Sequence, residues 1–62
     1  MIGEKLKELR IQKGLPAAGL DEILGVQRGS WMNWENGFST PEPELLDEIA
    51  EYFGVNRKEL EK

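Results

Sequence analysis

The polar side chains between Gln27 and Asn33 are the residues of this chain that are best suited to recognition chemistry. Arg28 offers two parallel donors, which match guanine in the major groove of duplex DNA, and Asn33 offers a donor and an acceptor, which match adenine. Gln27 lies beside them. The alternative is that these are solvated polar residues on a surface helix. The segment is therefore a candidate base-reading surface.

Catalytic chemistry has little support in the residue types. The chain has no histidine and no cysteine, so Ser30 has no base to activate it. The carboxylates of one segment follow the pattern of a solvated helix face and have no metal-ligand arrangement; they are Glu42, Glu44, Asp47, Glu48 and Glu51. The sequence predicts that the protein is not an enzyme and needs no metal or cofactor.

The net charge of −4 is distributed unevenly along the chain. Residues 1–41 carry five basic and five acidic side chains, whereas residues 42–62 carry three basic and seven acidic ones. The acidity is thus confined to the C-terminal third. A nucleic-acid-binding domain usually has a basic patch, and none is obvious here.

The elements that must position the recognition segment read as helices throughout. Sixty-two residues suit a single domain, 1–62, without a disulfide, so packing must supply its stability. Apolar residues recur at helical spacing, glycines follow the helices, and no strand pattern occurs. The predicted helices cover about Gly3–Lys13, 16–24, 27–36, a segment that follows Thr40 or Pro41 and runs to Phe53, and a last turn with Leu60. The expected fold is an all-α, compact five-helix domain.

The third predicted helix, 27–36, combines a buried and an exposed face. Trp31 and Trp34 are three residues apart and are expected in the core. Gly29 falls inside this helix, where it lowers helix stability. Asn36-Gly37 is a strong turn signal that ends it. The last turn carries its own start signal, because Asn56 followed by Glu59 forms a capping-box pattern.

From Gly25 onwards the chain resembles the phage-repressor and Cro class of helix-turn-helix domains. The similarity rests on Gly25-Val26, an apolar residue six positions later, and Trp34-Glu35-Asn36-Gly37. The first helix, with Leu6-Lys7-Glu8-Leu9-Arg10, and the segments Ile49-Ala50-Glu51 and Phe53-Gly54-Val55 also look like that family. The resemblance covers essentially the whole chain, and its matching residues mostly build the core and the turns.

The resemblance implies that helix 3 enters the major groove while helix 2 crosses the DNA backbone. Residues at positions that commonly reach base edges are Gln27, Arg28, Gly29, Met32 and Asn33. Residues at positions that meet the DNA backbone are Ala17, Ala18, Ser30, Asn36, Phe38, Ser39 and Thr40. The resemblance also implies a buried structural ion pair between Arg10 and Glu35. Small residues at 17–19 let a phosphate approach a helix N-terminus, or else simply allow tight helix packing.

Several positions depart from the family pattern. Ala17 replaces a DNA-contacting glutamine, Pro16 a threonine cap, and Phe38 a common lysine. Asp21 replaces a small alanine and Trp31 a smaller aliphatic residue, at two positions that pack together in the family. One hypothesis is that Asp21 accepts a hydrogen bond from the Trp31 indole N–H.

The resulting expectation is sequence-specific binding of double-stranded DNA. The alternative is a protein–protein interaction module on the same scaffold, with Met32, Phe38 and the two tryptophans forming an apolar patch. No membrane partner is expected, since no run approaches ~18 apolar residues and no leader pattern occurs. No small-molecule substrate is expected either. We expect a monomer or weak homodimer in the cytoplasm, associated with the nucleoid in a bacterial or phage setting. The helix caps and unusual helix 2 and 3 residues also suit an engineered domain.

Overall fold

The fold consists of five α-helices joined by short loops, with no strand in residues 2–61, as the sequence predicts. A computed structural model describes these residues, so the two ends of the predicted domain 1–62 lie outside it. The helices are α1 Ile2–Lys13, α2 Ala17–Leu24, α3 Ser30–Glu35, α4 Pro43–Phe53 and α5 Arg57–Leu60.

The core forms where these helices meet, and Trp31 lies within it. Trp31 is fully buried, and its ring lies 5.8 Å from that of Trp34 and 6.0 Å from that of Phe53. The expectation that both tryptophans belong to the core is confirmed. Around them pack aliphatic side chains from all the other helices; the buried ones are Leu6, Leu9, Leu20, Leu46, Ile49, Ala50 and Leu60.

Four of the five helices end in the same way, with a glycine in the left-handed conformation. In α3 the N–H of Gly37 donates to the carbonyl of Trp34, and the N–H of Phe38 donates to that of Asn33 at 2.9 Å. This is the Schellman arrangement, which satisfies two carbonyls that the helix leaves unpaired. The other three helices end at the glycines that the sequence indicates, Gly14, Gly25 and Gly54.

α1 begins at Ile2 rather than at Gly3, and α2 begins at Ala17 rather than at Pro16, which is its N-cap. Two further helix starts differ from the predicted ones. α4 begins at Pro43 with Glu42 as its N-cap, because buried Pro41 belongs to the extended loop before it. α3 begins at Ser30 rather than at Gln27, because Gly29 before it is in the left-handed conformation. The start of α5 is confirmed: Asn56 and Glu59 form the capping box.

α1 approaches α3 closely through a glycine that the sequence did not single out. A Cβ atom on buried Gly3 would lie 2.5 Å from the Glu35 carbonyl oxygen and 2.7 Å from that of Trp34. Backbone atoms cannot give way as a flexible side chain can. The absence of a side chain at Gly3 therefore sets the distance between α1 and the end of α3.

Candidate nucleic-acid interface

The segment before α3 is a tight turn and not helix, which corrects the predicted helix 27–36. The Ser30 N–H donates to the Gln27 carbonyl at 3.0 Å, and Gly29 has φ 95° and ψ −8°. A positive φ at the third position of a four-residue turn favours glycine and cannot continue a right-handed helix. Gly29 is therefore the N-cap of α3. It is not a residue inside the helix, and Gln27 and Arg28 precede the helix.

The carboxylate of Asp21 on α2 caps α3 from a neighbouring helix. Its Oδ2 accepts the Gly29 N–H at 2.7 Å, and its Oδ1 accepts the Trp31 N–H at 2.8 Å. Gly29 has no side chain to do this, and Asp21 is only 4% exposed. Hydrogen bonds to an ionised acceptor are stronger than neutral ones, and they satisfy two N–H groups that the start of α3 leaves unpaired.

The hypothesis that Asp21 accepts the Trp31 indole N–H is wrong. The indole N–H donates instead to Oε2 of Glu35, one helical turn later on α3. Both oxygens of Asp21 already accept backbone N–H groups, those of Gly29 and Trp31. Asp21 and Trp31 are thus joined, but through the backbone of Trp31.

Arg10 and Glu35, which the resemblance pairs, are bonded to each other in the structure. Arg10 Nε lies 2.6 Å and Nη2 3.2 Å from the two Glu35 oxygens, while Nη1 donates to the Leu15 carbonyl at 3.3 Å. Hydrogen bonding to Glu35 raises the pKa of Arg10 above its ordinary value, against a lowering by burial, and the Glu35 charge adds to the rise. The pair joins the end of α1 to the end of α3.

Four of the five candidate base-reading residues are exposed, and the fifth, Gly29, is half-buried. Gln27 and Arg28 are exposed on the turn, and Met32 and Asn33 are exposed on the first turn of α3, with Met32 41% accessible. Gly29 is half-buried between the two groups. The turn and α3 together therefore present the five residues that the sequence singled out.

The charge of this surface differs from that of the whole chain. Between Gly25 and Pro41 only Arg28 and Glu35 are charged. The Glu35 side chain is 3% exposed and bonded to Arg10, whereas Arg28 is exposed and makes no ion pair within residues 2–61. Arg28 is thus the one uncompensated charge of the segment.

The start of α2 opens to the same side of the molecule as Arg28. Ala18 and Arg28 line one shallow depression of about 340 Å³. Pro16 is the N-cap and makes no side-chain capping bond. The N–H groups of Ala17 and Ala18 donate to no backbone carbonyl in the described part of the chain. An anion can occupy such a helix start.

The remaining candidate backbone residues lie mostly in the loop after α3. Asn36, Phe38, Ser39 and Thr40 are exposed, with Phe38 79% accessible, and Ser30 is half-buried at the first position of α3. The two tryptophans contribute nothing to an apolar surface patch, because they are buried. The patch expected for an interaction module is thereby reduced to Met32 and Phe38.

Two contacts around α3 do not follow from the sequence: the bonds of Asp21 to the turn and the close approach of Gly3 to the end of α3. A signal for Asp21 is Gly29 itself: a glycine at a helix start has no side chain to accept the unpaired N–H groups, so an acceptor must come from elsewhere in the chain. No sequence signal identifies Gly3, since its contacts are backbone atoms more than thirty residues away.

Other kinds of site are not indicated by the described residues. Residues 2–61 contain no group of histidine, cysteine, aspartate and glutamate side chains arranged to hold a metal ion. None of the described helices is long and apolar enough to span a membrane.

Comparison with known proteins gives one family and several relatives. The family model described as a helix-turn-helix domain matches residues 3–61. The antitoxin PezA of Streptococcus pneumoniae is 38% identical over 56 residues, 90% of this chain and 35% of that protein. The cryptic phage CTXphi transcriptional repressor RstR of Vibrio cholerae is 27% identical over 60 residues, 97% of this chain and 54% of that protein.

A third relative is the SPbeta prophage-derived uncharacterized HTH-type transcriptional regulator YonR of Bacillus subtilis, 30% identical over 56 residues, 90% of this chain and 52% of that protein. The chain thus spans between about a third and about half of the length of these relatives. No solved structure matches it. None of the three names describes an enzyme.

Proposed function

The chain belongs to the helix-turn-helix domain family, a DNA-binding fold, and we propose that it binds double-stranded DNA sequence-specifically, as part of a transcriptional regulator. In this proposal α3 and the turn before it enter the major groove. Two of the relatives are named as a transcriptional repressor and a transcriptional regulator, which supports the regulatory role.

The single observation that carries the proposal is the exposed surface from Gln27 to Asn33. It holds Arg28 without an intramolecular ion pair in the described residues, next to an asparagine and a methionine. Arg28 suits a guanine, Asn33 suits an adenine, and the Met32 side chain suits a thymine methyl. Glu35 does not repel the phosphates here, because Arg10 neutralises it.

The start of α2 and the loop 36–40 suit the DNA backbone. Ala17 and Ala18 offer N–H groups at a helix N-terminus without long side chains in the way. Ser39 and Thr40 offer hydroxyl donors in an exposed loop. Such contacts fix the orientation of the protein on the duplex and carry no sequence information themselves.

The proposal is tested by selection from a pool of randomised DNA duplexes at low salt. We expect enrichment of a short site, the length of one half-site, because a domain of this size spans little more. Sedimentation of the enriched complex tests the accompanying proposal of a monomer or weak homodimer. A pool that shows no enrichment would contradict sequence-specific DNA binding and favour the interaction module. For that module, Met32 and Phe38 are the exposed apolar residues that remain of the patch expected from the sequence.

A further inference from the structure

We propose that Asp21 is a positioning residue for base recognition: its buried carboxylate holds the turn of residues 27–30 so that Arg28 is presented in one conformation. The inference rests on the proposed function and adds a residue that does not itself contact DNA. It concerns specificity, because a side chain that reads a base must be held in a defined geometry.

The first step is that Asp21 binds the turn at its C-terminal half. The Gly29 N–H, directly after Arg28, lies 2.7 Å from Oδ2, and the Trp31 N–H lies 2.8 Å from Oδ1. One carboxylate therefore bridges the turn and the first residues of α3. With 4% exposure it has little competition from water for these bonds.

The second step is that the turn has few other restraints. Gln27 and Arg28 are exposed, and beyond Gly29 and its two chain neighbours no atom lies within 4 Å of the position that a Cβ on Gly29 would occupy. Besides the Asp21 bond, the turn has its own bond from the Ser30 N–H to the Gln27 carbonyl, and the Gly29 carbonyl accepts the Asn33 N–H at 3.1 Å. Trp31, by contrast, is also fixed by burial and by its indole bond to Glu35. Loss of the carboxylate therefore loosens the turn more than it loosens α3.

The third step is that Asp21 does this without capturing the arginine. Asp21 and Arg28 line the same depression, yet no ion pair joins them in residues 2–61. Both carboxylate oxygens of Asp21 accept backbone N–H groups, so they hold the turn and not the guanidinium of Arg28. Arg28 stays available for an external partner.

The test compares Asp21→Asn with Glu22→Gln, a matched loss of one carboxylate from an exposed neighbour that lines the same depression. The asparagine amide group replaces one acceptor by a donor, which faces a backbone N–H. Binding is measured to the selected site and to the same site changed at the base pair where Arg28→Ala loses discrimination. We expect Asp21→Asn to lose at least about fivefold in discrimination there, the lower bound for an arginine–guanine pair.

Three controls separate positioning from a loss of folding. Circular dichroism confirms that each variant is folded at the binding temperature. Ile49→Val, a core change away from the turn, lowers stability and should leave discrimination intact. Amide hydrogen exchange should accelerate at Gly29 and Trp31 in Asp21→Asn while the Leu46 amide on α4 stays protected. If Asp21→Asn does not fold, Asp21→Ala replaces it, because the resembling family carries alanine there.

Each outcome decides the inference. Reduced discrimination with little change in affinity for non-specific duplex supports it, as does a smaller effect of Arg28→Ala in the Asp21→Asn background. A folded Asp21 variant that discriminates as well as the wild type overturns it, while the DNA-binding proposal stands. If the wild-type protein selects no site at all, the proposed function fails and the inference fails with it.

Discussion

Glu35 accepts three side-chain hydrogen bonds at the junction of α1 and α3. Its carboxylate accepts from two nitrogens of Arg10 and from the Trp31 indole, and the side chain is 3% exposed. Taking a carboxylate out of water is costly unless such donors compensate it. The raised pKa of Arg10 keeps its guanidinium charged, so the stabilisation from its charge is present at neutral pH and is lost as pH rises through the pKa of Arg10.

Arg10→Ala should therefore destabilise the domain strongly. We expect a loss near the lower end of ~3–5 kcal/mol in the free energy of unfolding, because Glu35 is left buried while the Arg10 side chain was 18% exposed. Urea denaturation followed by tryptophan fluorescence measures it. Arg57→Ala is the matched control: Arg57 pairs with Asp47 and Glu61 at the surface, and its removal should matter far less. Equal losses for the two variants would contradict this account of the pair.

Gly29 is a second residue whose type is required, in this case by its backbone conformation. Its φ of 95° is accessible to glycine, and a Cβ there would meet no atom within 4 Å. Gly29→Ala should thus cost ~1–3 kcal/mol through backbone strain alone. Gly29→Asn should cost less, since asparagine tolerates positive φ better. Thermal unfolding of the two variants gives the comparison, and a stable alanine variant would show that the turn is not constrained in this way.

At the level of elements, the contact between α1 and α3 is determined by backbone packing. Gly3→Ala places a methyl group within 2.5–2.7 Å of two carbonyl oxygens, so α1 must shift. The expected loss is about 1–3 kcal/mol, as for other overpacked sites. Lys7→Ala, an exposed change on the same helix, is the control for the effect of alanine itself. Unchanged stability of Gly3→Ala by urea denaturation would mean that the two helices separate easily.

α5 has four residues and cannot be stable on its own, so its position must come from tertiary packing. Leu60 is fully buried, and Leu60→Ala should cost ~2–5 kcal/mol through the cavity it leaves. A loss well below that range would indicate that α5 is held mainly by Arg57 and its surface ion pairs.

The elements also show what the sequence could predict. Helix identities and the C-terminal ends at Gly14, Gly25, Gly37 and Gly54 follow from local patterns, and these were confirmed. The predicted start of α3 at Gln27 was wrong, because a glycine flanked by polar residues is compatible with either a helix interior or a turn. The partner of Asp21 was wrong for a different reason: two donors were near in space, and only the folded backbone decides between the indole and the peptide N–H groups.

At the scale of the whole molecule, the charge distribution predicts an unusual DNA binder. The acidic residues lie mainly in the C-terminal third, and the proposed interface has one uncompensated cation. Backbone N–H and hydroxyl contacts release few counterions, so the plot of log affinity against log salt should be shallow, with a slope of about −1 to −2. Fluorescence anisotropy titrations at several salt concentrations measure the slope. A steep dependence would mean that lysines on another surface contact the phosphates.

The most direct test of the central claim is the effect of Arg28→Ala on binding to the selected site and to every single-base-pair variant of it. We expect Arg28→Ala to lose ~1–3 kcal/mol of binding free energy on the selected site and to relax specificity at one base pair only. Lys58→Ala, which removes an exposed positive charge on α5, should leave both unchanged. If Arg28→Ala binds all sites as the wild type does, or weakens all of them equally, the surface from Gln27 to Asn33 does not read DNA.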